Sequence, residues 1–425
     1  MAIQNKHLAA RGGAAAGASR GRWRGAVAGA SALLAGAMGM VWSVVVVRLP
    51  AAGFDYSINQ LFLLAALPAL SAATLRLFYA VLMPVFGGRK WTALSTAALL
   101  VPALGIGSAL QDPATGYPTM LALALLCGVG GANLAGLGAR DRDAGLGALG
   151  VPLAQLVAPL AASAAVFGAA GGPAQRWIEA GAARQAWLQN AGTVWVLPIL
   201  ACALCAWFGM REPAAARASF TEQAIVFKRR HTWIMAWLCT GALGSFLGYA
   251  AGFPLLLKTE FPAVDAFGWA FVGPLAGVLA GAAGAALAAR LGAARVAFGA
   301  FCLMAGAVLG VLRWLPQGGA GGSFAGLFGM FVLLFAGTGL ASAATARMIV
   351  PLFGAAEGAA VSGFTTALAA YGAFFIPKSY GTSIVLTGSP AHALWWCAGF
   401  HASCIVITWY YYLLPHPTPG SDQLV

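Results

Sequence analysis

Three basic side chains of this 425-residue sequence fall inside segments that are otherwise almost wholly apolar. They are Arg76 in SAATLRLFYAVL, Arg347 in ATARMIVPLF and Lys378 in GAFFIPKSYG. A guanidinium keeps its charge at any pH a protein survives, and its N–H donors form a planar fork. Arg76 is the deepest of the three, about ten residues from either flank of its apolar run or further, which places it near a bilayer midplane at about 1.5 Å per residue. Snorkelling from that depth is poor, so the charge must be compensated inside the protein. The other two stand closer to the ends of their runs, where snorkelling is the default expectation.

The chain offers Arg76 no acid. All eleven Asp and Glu residues fall in loops, tails or at the ends of apolar runs. A lone buried guanidinium is then suited to a mobile countercharge, and two parallel N–H donors fit a planar oxyanion. The competing reading is an arginine bonded to backbone carbonyls that fixes helix packing. Proton relays in membranes use Asp, Glu or His. Here His401, in AGFHASCIVITW, is the one such group well inside a run, and a packing role is expected of it. Exchange of one anion for another therefore fits better than proton symport. No HExxH, no buried carboxylate pair and no Ser–His dyad points to an enzyme or to a metal. The seven cysteines all lie in apolar runs, and the Cys202–Cys205 pair reads as two small apolar side chains on a helix.

The elements that must position Arg76 are membrane helices. The sequence is 60% hydrophobic and 8% charged, against about a quarter charged in soluble domains. Its mean hydropathy is +0.82. Long unbroken apolar runs predict helices, not the alternating strands of an outer-membrane barrel. Twelve spans follow: 25–47, 58–86, 91–110, 117–138, 145–168, 192–210, 233–257, 268–289, 295–312, 324–349, 358–386 and 391–414. A basic linker, 211–232, divides them into an N-terminal six-helix bundle (25–210) and a C-terminal one (233–414). Residues 1–24 and 415–425 read as tails, the first of them disordered. With the N-terminus inside, sixteen Lys and Arg lie on the cytoplasmic side and five on the other, so both termini are expected in the cytoplasm. The net charge of +13 is thus a topology signal, and no nucleic-acid partner is implied.

Two six-span halves with a basic linker resemble the major facilitator superfamily, whose substrate lies between the halves. FGGRKW at 86–91 sits where that family carries its loop between spans two and three. Longer runs are more specific: QLFLLAALPALSAATLRLFYAVLMPVFGGRKWTALST, HTWIMAWL, GSFLGYAAGFPLLLKTEFP and YGAFFIPKSYGTSIVLTGSP look like the NarK-type nitrate/nitrite porters. The resemblance implies an inner-membrane, multi-pass antiporter, a monomer without cofactor, whose partners are nitrate, nitrite and the lipid bilayer. It matches the family's span-two arginine to Arg76. It keeps Gly145, Gly147 and Gly150 of the span-five signature, with Ala148 where the family has asparagine. Gly281 falls at the family's second arginine, and Leu134, Cys239 and Leu243 fall at its aromatic wall. In span eleven, Ser362, Thr365, Thr366 and Tyr371 are candidate pathway residues, although Ser and Thr also bond back to their own helix. The alternatives are a diverged paralogue that senses or partners a working porter, and a porter for another small anion.

Overall fold

The computed structural model describes the backbone of residues 2–134, 141–163, 175–179, 182–210, 228–316 and 322–414. Side chains are described except at 2–22, 78–86, 132–134, 141–145, 175–179, 182–186 and 355–356. The expected linker therefore lies outside the described residues as far as 227, and so does the C-terminal tail from 415.

Apolar runs of this length satisfy their backbone only by closing it into helices, because lipid offers no hydrogen bonds. The helices are α1 (Ala2–Arg48), α2 (Ile58–Phe86), α3 (Gly88–Ala109), α4 (Tyr117–Gly131) and α5 (Asp141–Ser163). Next come α6 (Asn190–Gly209), α7 (Arg230–Glu260), α8 (Ala266–Leu291) and α9 (Ala293–Trp314). α10 (Phe324–Gly354), α11 (Glu357–Thr387) and α12 (Ala391–Leu413) complete the chain. Eleven of these are long and apolar enough to cross a membrane, and α4 is a shorter apolar helix at the fourth span. The architecture is an all-α membrane fold of two six-helix bundles. Residues 2–24, expected as a disordered tail, continue α1 as helix; the stretch is rich in alanine, the best helix former.

Two elements depart from regular helix. Between α5 and α6, β1 (Gln175–Glu179) and β2 (Ala182–Ala186) pair antiparallel, Gln175 opposite Ala186. This hairpin lies in what the sequence reads as a plain loop. The middle of α7 is π-helical over Thr240–Gly244, an arrangement that often marks a working part of a membrane helix. At the α10–α11 junction Gly354 has φ 73°, outside the helical region, and only glycine adopts this without strain.

Glycine lets particular helix pairs touch backbone to backbone. A Cβ at Gly150 of α5 would stand 2.7 Å from the Ala37 nitrogen of α1. A Cβ at Gly339 of α10 would stand 2.9 Å from the Gly281 nitrogen of α8 and would press on the Gly277 carbonyl. The Gly273–Gly277–Gly281 ridge of α8 is therefore a packing face against α10. Gly281 has more room, since its own Cβ would come no nearer than 3.5 Å to any atom. Gly281→Ala should accordingly leave the melting temperature of the purified protein within a degree or two, whereas Gly339→Ala should lower stability by about 1–3 kcal/mol. Thermal unfolding of the two variants side by side checks this ordering.

Candidate functional site

The bundle has two ends, one carrying both termini and one opposite. α2 descends from the opposite end towards the termini while α11 rises antiparallel to it, and the two pack along their length. Near the opposite end Lys378 of α11 donates to the Asn59 side-chain oxygen of α2 at 2.9 Å. A snorkelling lysine was expected at 378; the structure instead turns its ammonium onto the neighbouring helix. The Phe62 and Tyr380 rings then meet edge to face, 6.0 Å between centroids. Further along, the Thr74 and Tyr371 hydroxyls lie 3.1 Å apart.

Arg76 closes this seam. It is 7% exposed, and its guanidinium reaches away from α2 in two directions. Nε donates to the Gly131 carbonyl of α4 at 2.8 Å, and Nη1 donates to the Thr366 carbonyl of α11 at 3.2 Å. The first bond stays within the N-terminal half, and the second crosses to the C-terminal half. Among the described residues Arg76 has no ion pair. Two carbonyl dipoles solvate the charge without neutralising it, so one full positive charge stays buried.

The guanidinium borders a cavity of about 150 Å³ between the two halves. The walls come from α1, α2, α4, α5, α7 and α11, and nearly all are apolar: Ala69, Ala72, Gly147, Val151, Leu243 and Leu247 are typical. Arg76 is the one charged residue among them. It lies at the edge nearer the termini, because the other α2 wall residues precede it in the chain. A low-dielectric pocket with a single cation at its rim strengthens attraction for an anion small enough to enter.

The remaining sequence candidates are spread over several roles. Gly147 lines the cavity, while Gly150 packs on α1 and is not part of the wall. The surroundings of Gly145 lie outside the described side chains, as do those of Leu134. Thr365 and Thr366 both bond back to the Ser362 carbonyl, at 3.2 and 2.8 Å. Of these three only Thr366 borders the cavity; Ser362 and Thr365 do not. Tyr371 works in the α2–α11 seam. Gly281 faces Gly339 and is not in the wall, whereas Leu243 is. His401 is fully buried and shares a 2.9 Å hydrogen bond with the Tyr249 hydroxyl, inside the C-terminal half.

Sequence reasoning missed Gln155 of α5, a fully buried amide one turn beyond the cavity-lining Val151. Its side-chain nitrogen donates to the Ser43 hydroxyl of α1 at 2.9 Å and to the Ala250 carbonyl of α7 at 2.8 Å. The available signal was a lone amide in the apolar run GVPLAQLVAPL. At the opposite end Arg48 of α1 pairs with Asp265 before α8 at 3.0 Å and stacks over the Phe267 ring at 5.0 Å.

No family model matches the sequence. Individual relatives do. A nitrate/nitrite transporter NarU of Salmonella typhimurium is 40% identical over 419 residues, covering 89% of each chain. A probable nitrate/nitrite antiporter NarK2 of Thermus thermophilus is 36% identical over 396 residues, covering 88% of each. The chain belongs to the NarK/NarU nitrate/nitrite transporter family. Its fold is similar to a D-xylose–proton symporter, with TM-score 0.66, 15% identity, and 92% of this chain and 98% of that one covered. A bacterial Spinster homologue in an inward-facing, unoccupied conformation gives TM-score 0.62 at 15% identity, covering 92% and 95%. Both likenesses place the two bundles in the major facilitator fold.

The α2–α11 seam is testable without any ligand. Thr74→Val and Tyr371→Phe should each destabilise the protein modestly, and the double variant should lose less than their sum. A coupling of about 0.5–1.5 kcal/mol in a double-mutant cycle of thermal or denaturant unfolding is the expected outcome.

Proposed function

We propose that this family member carries nitrate and nitrite across the bacterial inner membrane by alternating access, with Arg76 as the anion hook. The observation that carries this is a buried guanidinium at the rim of an apolar cavity between the halves, compensated by carbonyls and by no acid. Nitrate and nitrite are small planar monoanions, and the fork can hold either through parallel charge-assisted hydrogen bonds. The names of the relatives supply the substrate class. Exchange of the two anions fits because neither the cavity wall nor the seam holds a carboxylate to relay protons.

In the cycle that follows, both termini face the cytoplasm, a placement that the distribution of Lys and Arg supports. The opposite end is then periplasmic. Two described ties hold that end shut: Arg48–Asp265 and Lys378–Asn59. At the cytoplasmic edge of the cavity stands the Arg76–Thr366 bond. An anion on the fork competes with the Thr366 carbonyl for Nη1, which frees α2 from α11 at that level. Gly147 keeps the α5 wall low beside the cavity. The carrier acts as a monomer, since substrate passes between the halves of one chain.

One observation favours a second reading. Gly281 stands where the family resemblance expects a second arginine, and it packs on α10 outside the cavity wall. Loss of one charge-assisted hydrogen bond lowers affinity by about one to two decades. A chain so weakened could serve as a sensor or partner subunit, or carry another small anion. Nitrite-loaded proteoliposomes separate the readings. The unmodified protein should take up labelled nitrate, and Arg76→Lys should reduce uptake at least tenfold, because an ammonium is a point donor and not a fork. Full uptake by Arg76→Lys contradicts the role of Arg76. Uptake that appears only after Gly281→Arg assigns the chain to the non-transporting reading.

A further inference from the structure

One buried polar group that takes no part in the proposed cycle is Gln155. It is fully buried on α5, one turn from the cavity-lining Val151. Both N–H groups of its amide are used, one on Ser43 in its own half and one on the Ala250 carbonyl of the other half. Its side-chain oxygen is buried with no partner among the described residues. An unmatched acceptor in this position is unfavourable, and such exceptions in a native structure call for a reason.

The reason lies in α7. In a regular helix the Ala250 carbonyl accepts from the N–H of residue 254, but residue 254 is proline, which has none. The carbonyl is therefore freed by Pro254 and left facing α5. Gln155 supplies the missing donor across the boundary between the halves. Ser43 fixes the amide for this task, since its hydroxyl donates to the Met40 carbonyl at 2.6 Å and accepts from Gln155. Met40 and Ala251 both border the cavity, so the tie sits at the cavity edge away from Arg76.

We infer that Gln155 is a positioning residue of transport: its amide and the Pro254-freed carbonyl of Ala250 form the latch that shuts the cavity on the side away from the termini. The inference rests on the alternating-access reading but not on nitrate as the cargo. Rocking the halves apart at that side breaks the Gln155–Ala250 bond and leaves the Gln155–Ser43 bond intact. It also strips the Ala250 carbonyl of its donor, which biases the unloaded carrier towards closure.

The test is hydrogen–deuterium exchange of the full-length protein in lipid nanodiscs, without added anion. Gln155→Leu keeps the volume and removes the donor. Amides of residues 41–48 and 251–260 should then exchange about fivefold faster, the factor equivalent to one hydrogen bond of about 1 kcal/mol, while residues 230–240 do not accelerate. Adding Pro254→Ala returns a helical donor to the Ala250 carbonyl. The double variant should regain thermal stability yet keep the fast exchange, because the bond across the halves is still missing. Unchanged exchange in Gln155→Leu overturns the latch. So does uniform acceleration at both ends, or a double variant that returns to the unmodified pattern, since either makes Gln155 a packing group only. Failure of nitrate uptake in the unmodified protein bears on the cargo and leaves this test standing.

Discussion

Transport as proposed turns on one buried positive charge, Arg76, that meets no acid among the described residues. Arg76 is buried between α2, α4 and α11, and its bonds go to two carbonyl oxygens. Carbonyl dipoles hold a guanidinium in place, but a full countercharge must come from elsewhere. Packing and ligand binding are therefore two states of the same side chain. The guanidinium ties α2 to α11; under the proposed role, an anion draws part of that fork to itself. A single arginine also changes the charge balance. Under the proposed role of Arg76, binding of a monoanion leaves the site neutral.

The rest of the fold makes room for that exchange of partners. Glycine seams keep each half rigid: Gly36 and Gly150 bring α1 onto α5, and Gly277 and Gly339 bring α8 onto α10. Between the halves α2 packs on α11, and single hydrogen bonds such as Lys378–Asn59 and Arg76–Thr366 cross there. Rocking about a central site must break these crossing bonds. The π-helical turn and Pro254 in α7 add local irregularity on the wall where Leu243, Leu247 and Ala251 face the cavity.

Much of this was legible in the sequence because hydropathy and charge leave linear traces. The helices, the division into halves and Arg76 follow from apolar runs and from one charge standing deep in such a run. Other features leave no linear trace. The last described turn of α4 tightens into 3-10 geometry over Val129–Leu134. The hairpin at 175–186 pairs residues of no strong strand pattern. Lys378 looked free to snorkel because Asn59, its partner, lies 319 positions away. Gly273, Gly277 and Gly281 recur every four residues, a trace of close packing, but their partner Gly339 cannot be read from that spacing. Gln155 was invisible for a similar reason: a proline on one helix creates the need and an amide on another meets it. Span-eleven hydroxyls were ambiguous from the start, and Thr365 and Thr366 indeed bond to their own helix.

The central claim is that the countercharge of Arg76 is the transported anion. Equilibrium binding of nitrate to the purified protein and to Arg76→Gln, by titration calorimetry at low salt, tests it most directly. Glutamine keeps a donor at the level of Nε for the Gly131 carbonyl, but it carries no charge and is too short to reach Thr366. The account predicts saturable binding to the unmodified protein and binding weakened at least tenfold in Arg76→Gln, with both proteins folded. Equal affinity in the two would show that the anion sits elsewhere and that Arg76 serves only to join α2, α4 and α11.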